Sequence, residues 1–427
     1  KCVRISGLQI NNTGAGRSVH YANLTAGGDV RFSYSIVKGA GNRGIEGENG
    51  GATTIYVWNN IVYATSLANI FQGIRNGDAD FTMYVYNNTV FNTGYGIVSA
   101  AGTLIAKNNI STGVHISEAE DTFCYYGTFD ATSTHNISDD TTAPLGATTR
   151  TGTTTSATAL KLVDTNANFG AEAIPTKVGM RVKNTTDTTY ATILAIDSTS
   201  QLSLDFDIMA NGENYSVYAA YIVDVAPHRM SANNLPTPYV ASASTEYSEQ
   251  FRAWRAFDGF DNYWIATANT GWLKIDLGSG KSYILGSYAI QNNVVPEPLR
   301  MPNDWTLQGS NNDSDWDILD TVTDETSWGN NEKRTFICDT ATTAYRYFKI
   351  VITQNNGDAN YTIIKEMYLY TLLLTSETNF HLSSLDISAI NKGIDTSGES
   401  APLDFTDDID GTTRVAPWDI GADEYVA

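Results

Sequence analysis

The sequence predicts an all-β protein: a right-handed parallel β-helix interrupted by a small β-barrel-like insert and by a β-sandwich jelly roll. Three observations carry that prediction. Thr, Asn, Ser and Gly are abundant among the 427 residues while Lys and Glu are sparse, a balance that favours strands and tight turns over long helices. A strand phrase recurs through the first third at the spacing of a solenoid coil. Between about residues 146 and 370 that phrase gives way to two other strand textures, in a chain too long for one hydrophobic core.

The phrase runs VRFSYSIVKGAG from Val30, IYVWNNIVYATS from Ile55, MYVYNNTVFNTG from Met83, LIAKNNISTG from Leu104 and STHNIS from Ser133. Its anchors, Ser35, Asn60, Asn88, Asn109 and Asn136, lie 25, 28, 21 and 27 residues apart. In stacked coils equivalent positions form columns, so the asparagines are expected to hydrogen-bond along the axis while Ile and Val fill the interior. Alternation places Ile55, Val57, Met83 and Val85 on the inner face and Tyr56, Trp58, Tyr84 and Tyr86 on the outer one. An outer aromatic stripe suits sugar rings, another subunit, or burial under loops.

The phrases Asn379-Phe380-His381-Leu382, Ala389-Ile390-Asn391-Lys392-Gly393, Asp408-Ile409-Asp410-Gly411 and Asp419-Ile420-Gly421-Ala422-Asp423-Glu424 resemble the closing coil of bacterial and phage-associated parallel β-helix proteins. The resemblance implies a cap over the open end of the solenoid, where strand edges need cover. Asp404, Asp407, Asp408 and Asp410 fit capping turns, with calcium chelation as the alternative. The predicted organisation is therefore coils over 1–145, a small β insert over 146–220, a return strand over 221–227, a β-sandwich over 228–370, and a closing coil with its cap over 371–427.

Between the coils and the closing phrases, the Thr/Ser/Gly-rich stretch GATTRTGTTTSAT reads as a linker. Alternating strands with turn signals follow it, and they resemble small modules of phage virion and tail proteins. Asp205, Asp207 and Glu213 in this insert read as turn acids or a metal cluster.

The second insert carries Ala256-Phe257-Asp258-Gly259 with Trp264, then Trp272-Leu273-Lys274-Ile275-Asp276-Leu277-Gly278. Pro302-Asn303-Asp304-Trp305-Thr306-Leu307-Gln308-Gly309-Ser310 with Trp316 comes next, followed by Tyr345-Arg346-Tyr347-Phe348-Lys349-Ile350 and Glu366-Met367-Tyr368-Leu369-Tyr370. In order and spacing these resemble the F5/8 type C, or discoidin, domain, a galactose-binding-like β-sandwich. Trp272, Ile275, Leu277, Trp305, Leu307, Phe348 and Ile350 are expected in its core. The resemblance implies a structural Ca2+ held by Asp258, Asp261 and Glu366, oxygen ligands that suit a hard cation. It also implies ligand loops at one end of the sandwich, where Tyr247, Phe251, Trp254, Asn292, Asn293 and Arg300 supply aromatic platforms and polar donors for a sugar. For Arg300 a structural loop role stands beside the ligand role. The sequence departs from the family at Tyr263, where Thr commonly precedes the Trp, and it lacks the terminal Cys pair.

Function classes narrow on charge and motif. With 26 Lys and Arg against 47 Asp and Glu, the net charge is -21, which argues against a nucleic-acid partner. Cys2, Cys124 and Cys338 give neither a disulfide framework nor a zinc pattern. No run of 18 apolar residues predicts a membrane span. The chain opens at Lys1 without Met, which leaves room for a signal peptide or a longer N-terminal part. Paired carboxylates between coils, Glu46 with Glu48, Asp78 with Asp80, and Glu118, Glu120 and Asp121, are the candidates for catalysis, adjacent coils bringing the first two pairs together.

The expected function is a non-catalytic surface or virion-appendage adhesin. It would be an extracellular homo-oligomer or a subunit of a surface or virion assembly that binds a cell-surface glycan or polysaccharide through the discoidin-like insert. A purely structural phage tail, capsid or fibre protein and a tailspike-type polysaccharide lyase or hydrolase are the rivals.

Overall fold

The computed structural model describes residues 2–14, 16–39, 41–64, 71–112, 123–140, 142–170, 175–227, 230–293, 297–338, 343–371, 382 and 389–424. Strands dominate the described residues, and helical turns are confined to the short segments Glu249–Phe251, Ala253–Phe257 and Pro298–Arg300. The chain divides into two compact units, one of Lys1–Val114, Thr122–Val223 and Phe380–Ala427, the other built on Asp224–Asn379.

The first unit opens as a three-sided parallel solenoid. One sheet stacks Cys2–Ser6, Gly28–Ser33, Thr53–Trp58, Phe81–Tyr86 and Thr103–Lys107. A second stacks Gln9–Asn12, Ile36–Gly39, Ile61–Ala64, Thr89–Phe91, Ile110–Thr112 and Asn136–Ser138. The third stacks Arg17–Tyr21, Arg43–Gly47, Gln72–Asn76, Tyr95–Ser99 and Phe123–Gly127. In-register stacking puts Val30, Ile55, Met83 and Leu104 in one inner column and Phe32, Val57, Val85 and Ala106 in the next, all buried.

The paired asparagines of the repeat split their work. The second of each pair forms the ladder: Asn60 Oδ1 accepts from Ser35 N, Asn88 Oδ1 from Asn60 N, Asn109 Oδ1 from Asn88 N, and Asn136 Oδ1 from Asn109 N, at 2.9 to 3.1 Å. The preceding residue turns the corner with a left-handed backbone, φ between 50 and 55° at Tyr34, Asn59, Asn87, Asn108 and His135. Asn tolerates that region better than most non-glycine residues.

At this corner the C-terminal segment docks. Asn59 Nδ2 donates to Asp407 O, and Asn108 exchanges hydrogen bonds with Ile394. Gly421, at φ +113°, approaches so closely that a Cβ would stand 2.7 Å from Ile110 Cδ1. Residues 389–424 thus run along the side of the coils, from Tyr34 to Asn108, with no strand of their own among the described residues; of the expected closing phrases, Asn379-Phe380-His381 lies outside the described residues. The apolar corner at Trp58, Tyr86 and Ile105 is what they cover, using Leu403, Phe405 and Trp418. The aromatic stripe is therefore divided. Trp58 and Tyr86 are buried, whereas Tyr56 and Tyr84 are half-buried and stack on each other at 5.2 Å, with Arg31 over the far side of Tyr56. Arg31, Tyr56 and Tyr84 thus form a ladder along the sheet.

The segment after the coils adds antiparallel strands in the order Lys161–Val163, Gln201–Leu204, Tyr190–Ser198, Met180–Asn184 and Asn214–Ile222, with Thr148–Thr153 also on the last. Ala220, Tyr221 and Ile222 pair in parallel with Asn136, Ile137 and Ser138, so this sheet continues the second solenoid sheet. Asp205, Asp207 and Glu213 each accept a backbone N–H in its turns.

The second unit is a two-sheet sandwich. A five-stranded antiparallel sheet runs Val240–Ala243, Gly271–Asp276, Tyr347–Asn355, Pro302–Ser310 and Asp317–Val322. A three-stranded one runs Lys333–Ile337, Ser287–Gln291 and Glu366–Tyr370, and Trp264–Ala266 pairs with Thr362–Ile364. Its core holds Phe257, Trp264, Ile275, Leu277, Trp305, Leu307, Phe348 and Ile350. Trp272 differs from the expectation. Strand alternation sends Leu273 and Ile275 inward, so Trp272 lies on the outer face with Lys274, half-buried.

Candidate functional site

The loops at one end of the sandwich gather four aromatic rings. Ser248 caps the turn Glu249–Phe251 by accepting from Gln250 N, and Tyr247 N is held by Ile265 O, so Tyr247 and Phe251 are presented together. Their rings are 5.9 Å apart; Phe251 meets Tyr263 at 5.0 Å, and Tyr247 meets Tyr361 edge-on at 5.4 Å. Tyr247 is 51% exposed, an uncommon state for a large ring in such a cluster.

Arg300 closes the group. Its guanidinium lies 5.1 Å from the Tyr361 centroid, donates to Asp358 Oδ2 at 2.8 Å and pairs with Glu297 at 3.1 Å. The hydrogen bond from Arg300 holds the Asp358 carboxyl below its ordinary range, and Asp358 raises Arg300 in return. Asp358 also accepts from Asn360 N and Tyr361 N, fixing the backbone that carries Tyr361. The site offers ring faces, phenolic hydroxyls and a fixed cation, a combination that recognises the apolar face and hydroxyls of a sugar.

The other three expected sugar ligands make contacts of their own within the same unit. Trp254 faces Arg255, whose guanidinium stands 3.9 Å over the indole. Asn292 and Asn293 are buried; Asn292 Nδ2 donates to Gly329 O and its Oδ1 accepts from Asn293 N, so the Asn292 side chain holds a turn. Tyr263 and Tyr361 were not singled out as ligands from sequence. Tyr263 carried a signal nonetheless, because it replaces a residue the family keeps small.

The carboxylates expected to hold calcium are placed as follows. Asp258 is buried and accepts from Phe260 N, Asn262 Nδ2 and Arg255 Nη1. Glu366 is buried and accepts from Gly259 N at 2.7 Å. Asp261 is exposed and pairs with Lys365 at 2.7 Å. Among the described residues, the side chains whose ligand atoms lie within 4.8 Å of one another are His20, Glu46 and Glu48; Cys124, Asp139 and Asp140; and Asp408, Asp410 and Asp423. Asp258, Asp261 and Glu366 are not among these groups: Arg255 pairs with Asp258, Lys365 with Asp261, and the Gly259 N–H engages Glu366.

Of the carboxylates considered for catalysis, Glu46 is fully buried beneath Arg17, Arg43 and Arg75. Burial alone would raise its pKa, but the hydrogen bond from Arg17 and the charges of Arg43 and Arg75 outweigh it and hold Glu46 below 4.5. Glu48 pairs with Arg17. Asp78 accepts from Gly50 N and Asp80 N, which lowers its pKa and makes it a turn cap. Adjacent coils do bring the two regions together, but through Arg75 and Gly50. Glu118, Glu120 and Asp121 lie outside the described residues.

The family profile of the F5/8 type C domain matches residues 240–367. Among solved structures, the family 32 carbohydrate-binding module of Clostridium perfringens NanJ, in complex with galactose, is 21% identical over 35% of this chain and 98% of its own, with a TM-score of 0.27. Chitosan-binding module 1 of a Paenibacillus sp. IK-5 chitosanase/glucanase is 22% identical over 34% of this chain and 98% of its own, with a TM-score of 0.26. The family 32 module of Streptococcus pneumoniae EndoD is 12% identical over 34% and 98%, with a TM-score of 0.28. No curated protein matches the chain. Residues 240–367 are an F5/8 type C domain of the discoidin type, carried in a chain whose first part is a β-solenoid of about four turns.

Proposed function

We propose that the protein is a non-catalytic, extracellular glycan-binding protein of a cell or virion surface, in which the solenoid is a rigid stalk and the F5/8 type C domain takes the sugar at its loop end. The observation that carries this reading is the cluster of Tyr247, Phe251, Tyr263 and Tyr361 with Arg300 fixed beside it. The family's association with carbohydrate binding supports it, as do the galactose and chitosan named for the similar modules. Binding at one such open site is weak, so several copies on one particle would supply avidity. The state of Glu46 supports the non-catalytic part: a carboxylate held charged by three arginines is a poor proton donor.

A glycan array probed with the intact chain tests the reading. Binding to a neutral hexose-containing glycan is expected, and Tyr361→Ala should weaken it about tenfold, the worth of one lost ring contact, without shifting the melting curve. An array blank across neutral glycans overturns the reading. Ordered self-assembly beside a blank array would favour the purely structural role, and new reducing ends released from capsular polysaccharide would favour the depolymerase.

A further inference from the structure

The outer face of the five-stranded sheet in the F5/8 type C domain is unusual for a sheet open to water on one side, which ordinarily alternates to polar residues there. It carries Trp272 and Tyr347, half-buried, and Trp316 joins them from the preceding loop. Lysines are threaded among the rings. Lys349 Nζ sits 3.7 Å from the Trp316 centroid, and Lys274 Nζ lies 5.7 Å from Trp272 and 6.0 Å from Tyr347.

Lys274 and Lys349 stand directly opposite each other on neighbouring strands, a position in which like charges repel. The nearby acids do not resolve the conflict. Asp313 pairs with Lys274 at 2.6 Å, and Asp276 takes Arg346 at 2.6 Å. Asp315 and Asp317, which flank Trp316, accept from Asn312 Nδ2 and from the Tyr345 hydroxyl. Among the described residues Lys349 has no carboxylate within 4 Å; burial and then Lys274 lower its pKa, and Asp313 opposes them only at longer range. A chain of net charge -21 thus keeps a half-buried lysine on the Trp316 ring, with no carboxylate within 4 Å among the described residues, opposite a second lysine that Asp313 pairs and that lies by Trp272 and Tyr347.

We propose that this face is a second saccharide-binding surface, separate from the loop end, for a glycan that carries a carboxylate. The acid group would sit against Lys349 and relieve its repulsion with Lys274, while the sugar rings lie on Trp272, Tyr347 and Trp316. The inference does not depend on the loop-end site and survives its failure.

Calorimetric titration of the intact chain with hexagalacturonate, a hyaluronan hexasaccharide and sialyllactose, each beside its carboxyl-reduced form, tests it. At least one acidic glycan should bind, and its reduced form should bind about tenfold more weakly, as one lost charge-assisted contact implies. Raising the salt should also weaken it. Lys349→Gln should cost about tenfold and Trp272→Ala a comparable factor, with unchanged melting curves, while Tyr361→Ala leaves this affinity intact. The proposal is overturned if no acidic glycan binds better than its reduced form, or if Lys349→Gln binds like the parent. Self-association abolished by Lys349→Glu would assign the face to a second copy of the chain and also overturn it.

Discussion

The solenoid and the F5/8 type C domain solve the same problem, a β structure with a defined register, by opposite means. In the solenoid one fully buried column is polar. Asn60, Asn88, Asn109 and Asn136 are fully buried, and each serves the backbone of the coil beside it. In the sandwich the centre is filled by large rings, Trp264, Trp305, Phe257 and Phe348, and a buried polar atom there is satisfied inside the packing, as where Trp305 Nε1 donates to the Tyr288 hydroxyl and that hydroxyl to Asp320. Directional bonds repeated coil by coil fix register locally; ring shapes that interlock across two sheets fix it all at once.

The difference can be broken by mutation. Trp305→Ala should be the most damaging change, about 4 kcal/mol for a buried Trp. Its loss of amide-exchange protection should spread over the whole sandwich and spare the solenoid. Asn88→Ala strips Asn60 N and Nδ2 of their common acceptor, Asn88 Oδ1, and leaves Val57 O and Tyr86 O without their side-chain donor. A cost of about 3 kcal/mol is expected, with lost protection greatest in the coils containing Asn60 and Asn109. Equal loss across the whole chain would refute the contrast.

Acid should separate the units more gently. His135 is buried, and burial, with the charges of Lys177 and Lys107, pushes its pKa down to about 3 from 6.5. The folded solenoid keeps His135 neutral while the unfolded chain takes up a proton, so stability is full above pH 6.5 and declines as pH falls from there towards 3. Glu46, held below 4.5, adds to that loss only at lower pH. In the sandwich Asp358, lowered by Arg300, begins to lose its contribution only near 3.8. Between pH 6.5 and 4 the solenoid should therefore soften first in a pH series of exchange measurements. His135→Asn should flatten that slope at little cost near neutrality, because Asn59, Asn87 and Asn108 adopt the same backbone conformation in the coils before it. The smallest effect is expected from calcium. With Asp261 on Lys365 and Asp258 beside Arg255, melting curves in calcium and in EGTA should superimpose, and a clear upward shift with calcium would show that Lys365 yields its place.

Much of the site and fold was legible from residues alone where one local rule decided the outcome. The NN pairs announced both the ladder and the corner, since only one side chain of each pair can enter the column. Tyr247, Phe251 and Arg300 were picked out because they lie in loops that the family motif locates, and the structure gathers them around Tyr361. Trp272 was misplaced because the motif drew attention to the whole strand, although period-two alternation already set it opposite Leu273. Asn292 and Asn293 looked like sugar donors because nothing in a run of polar residues says which backbone groups it must serve. Tyr361 lies more than a hundred residues from Tyr247, and no local pattern joins them.

The sequence by itself determined the stacked coils, the asparagine column and the F5/8 type C sandwich, because each rests on short-range periodicity or a dense motif. Only the tertiary structure decided that residues 389–424 lie along the coil corner, that Tyr263 and Tyr361 complete the loop-end cluster, and that Lys349 stands on the Trp316 ring opposite Lys274. Those outcomes depend on which distant side chains reach the same place first, and on which charges each then has left to satisfy.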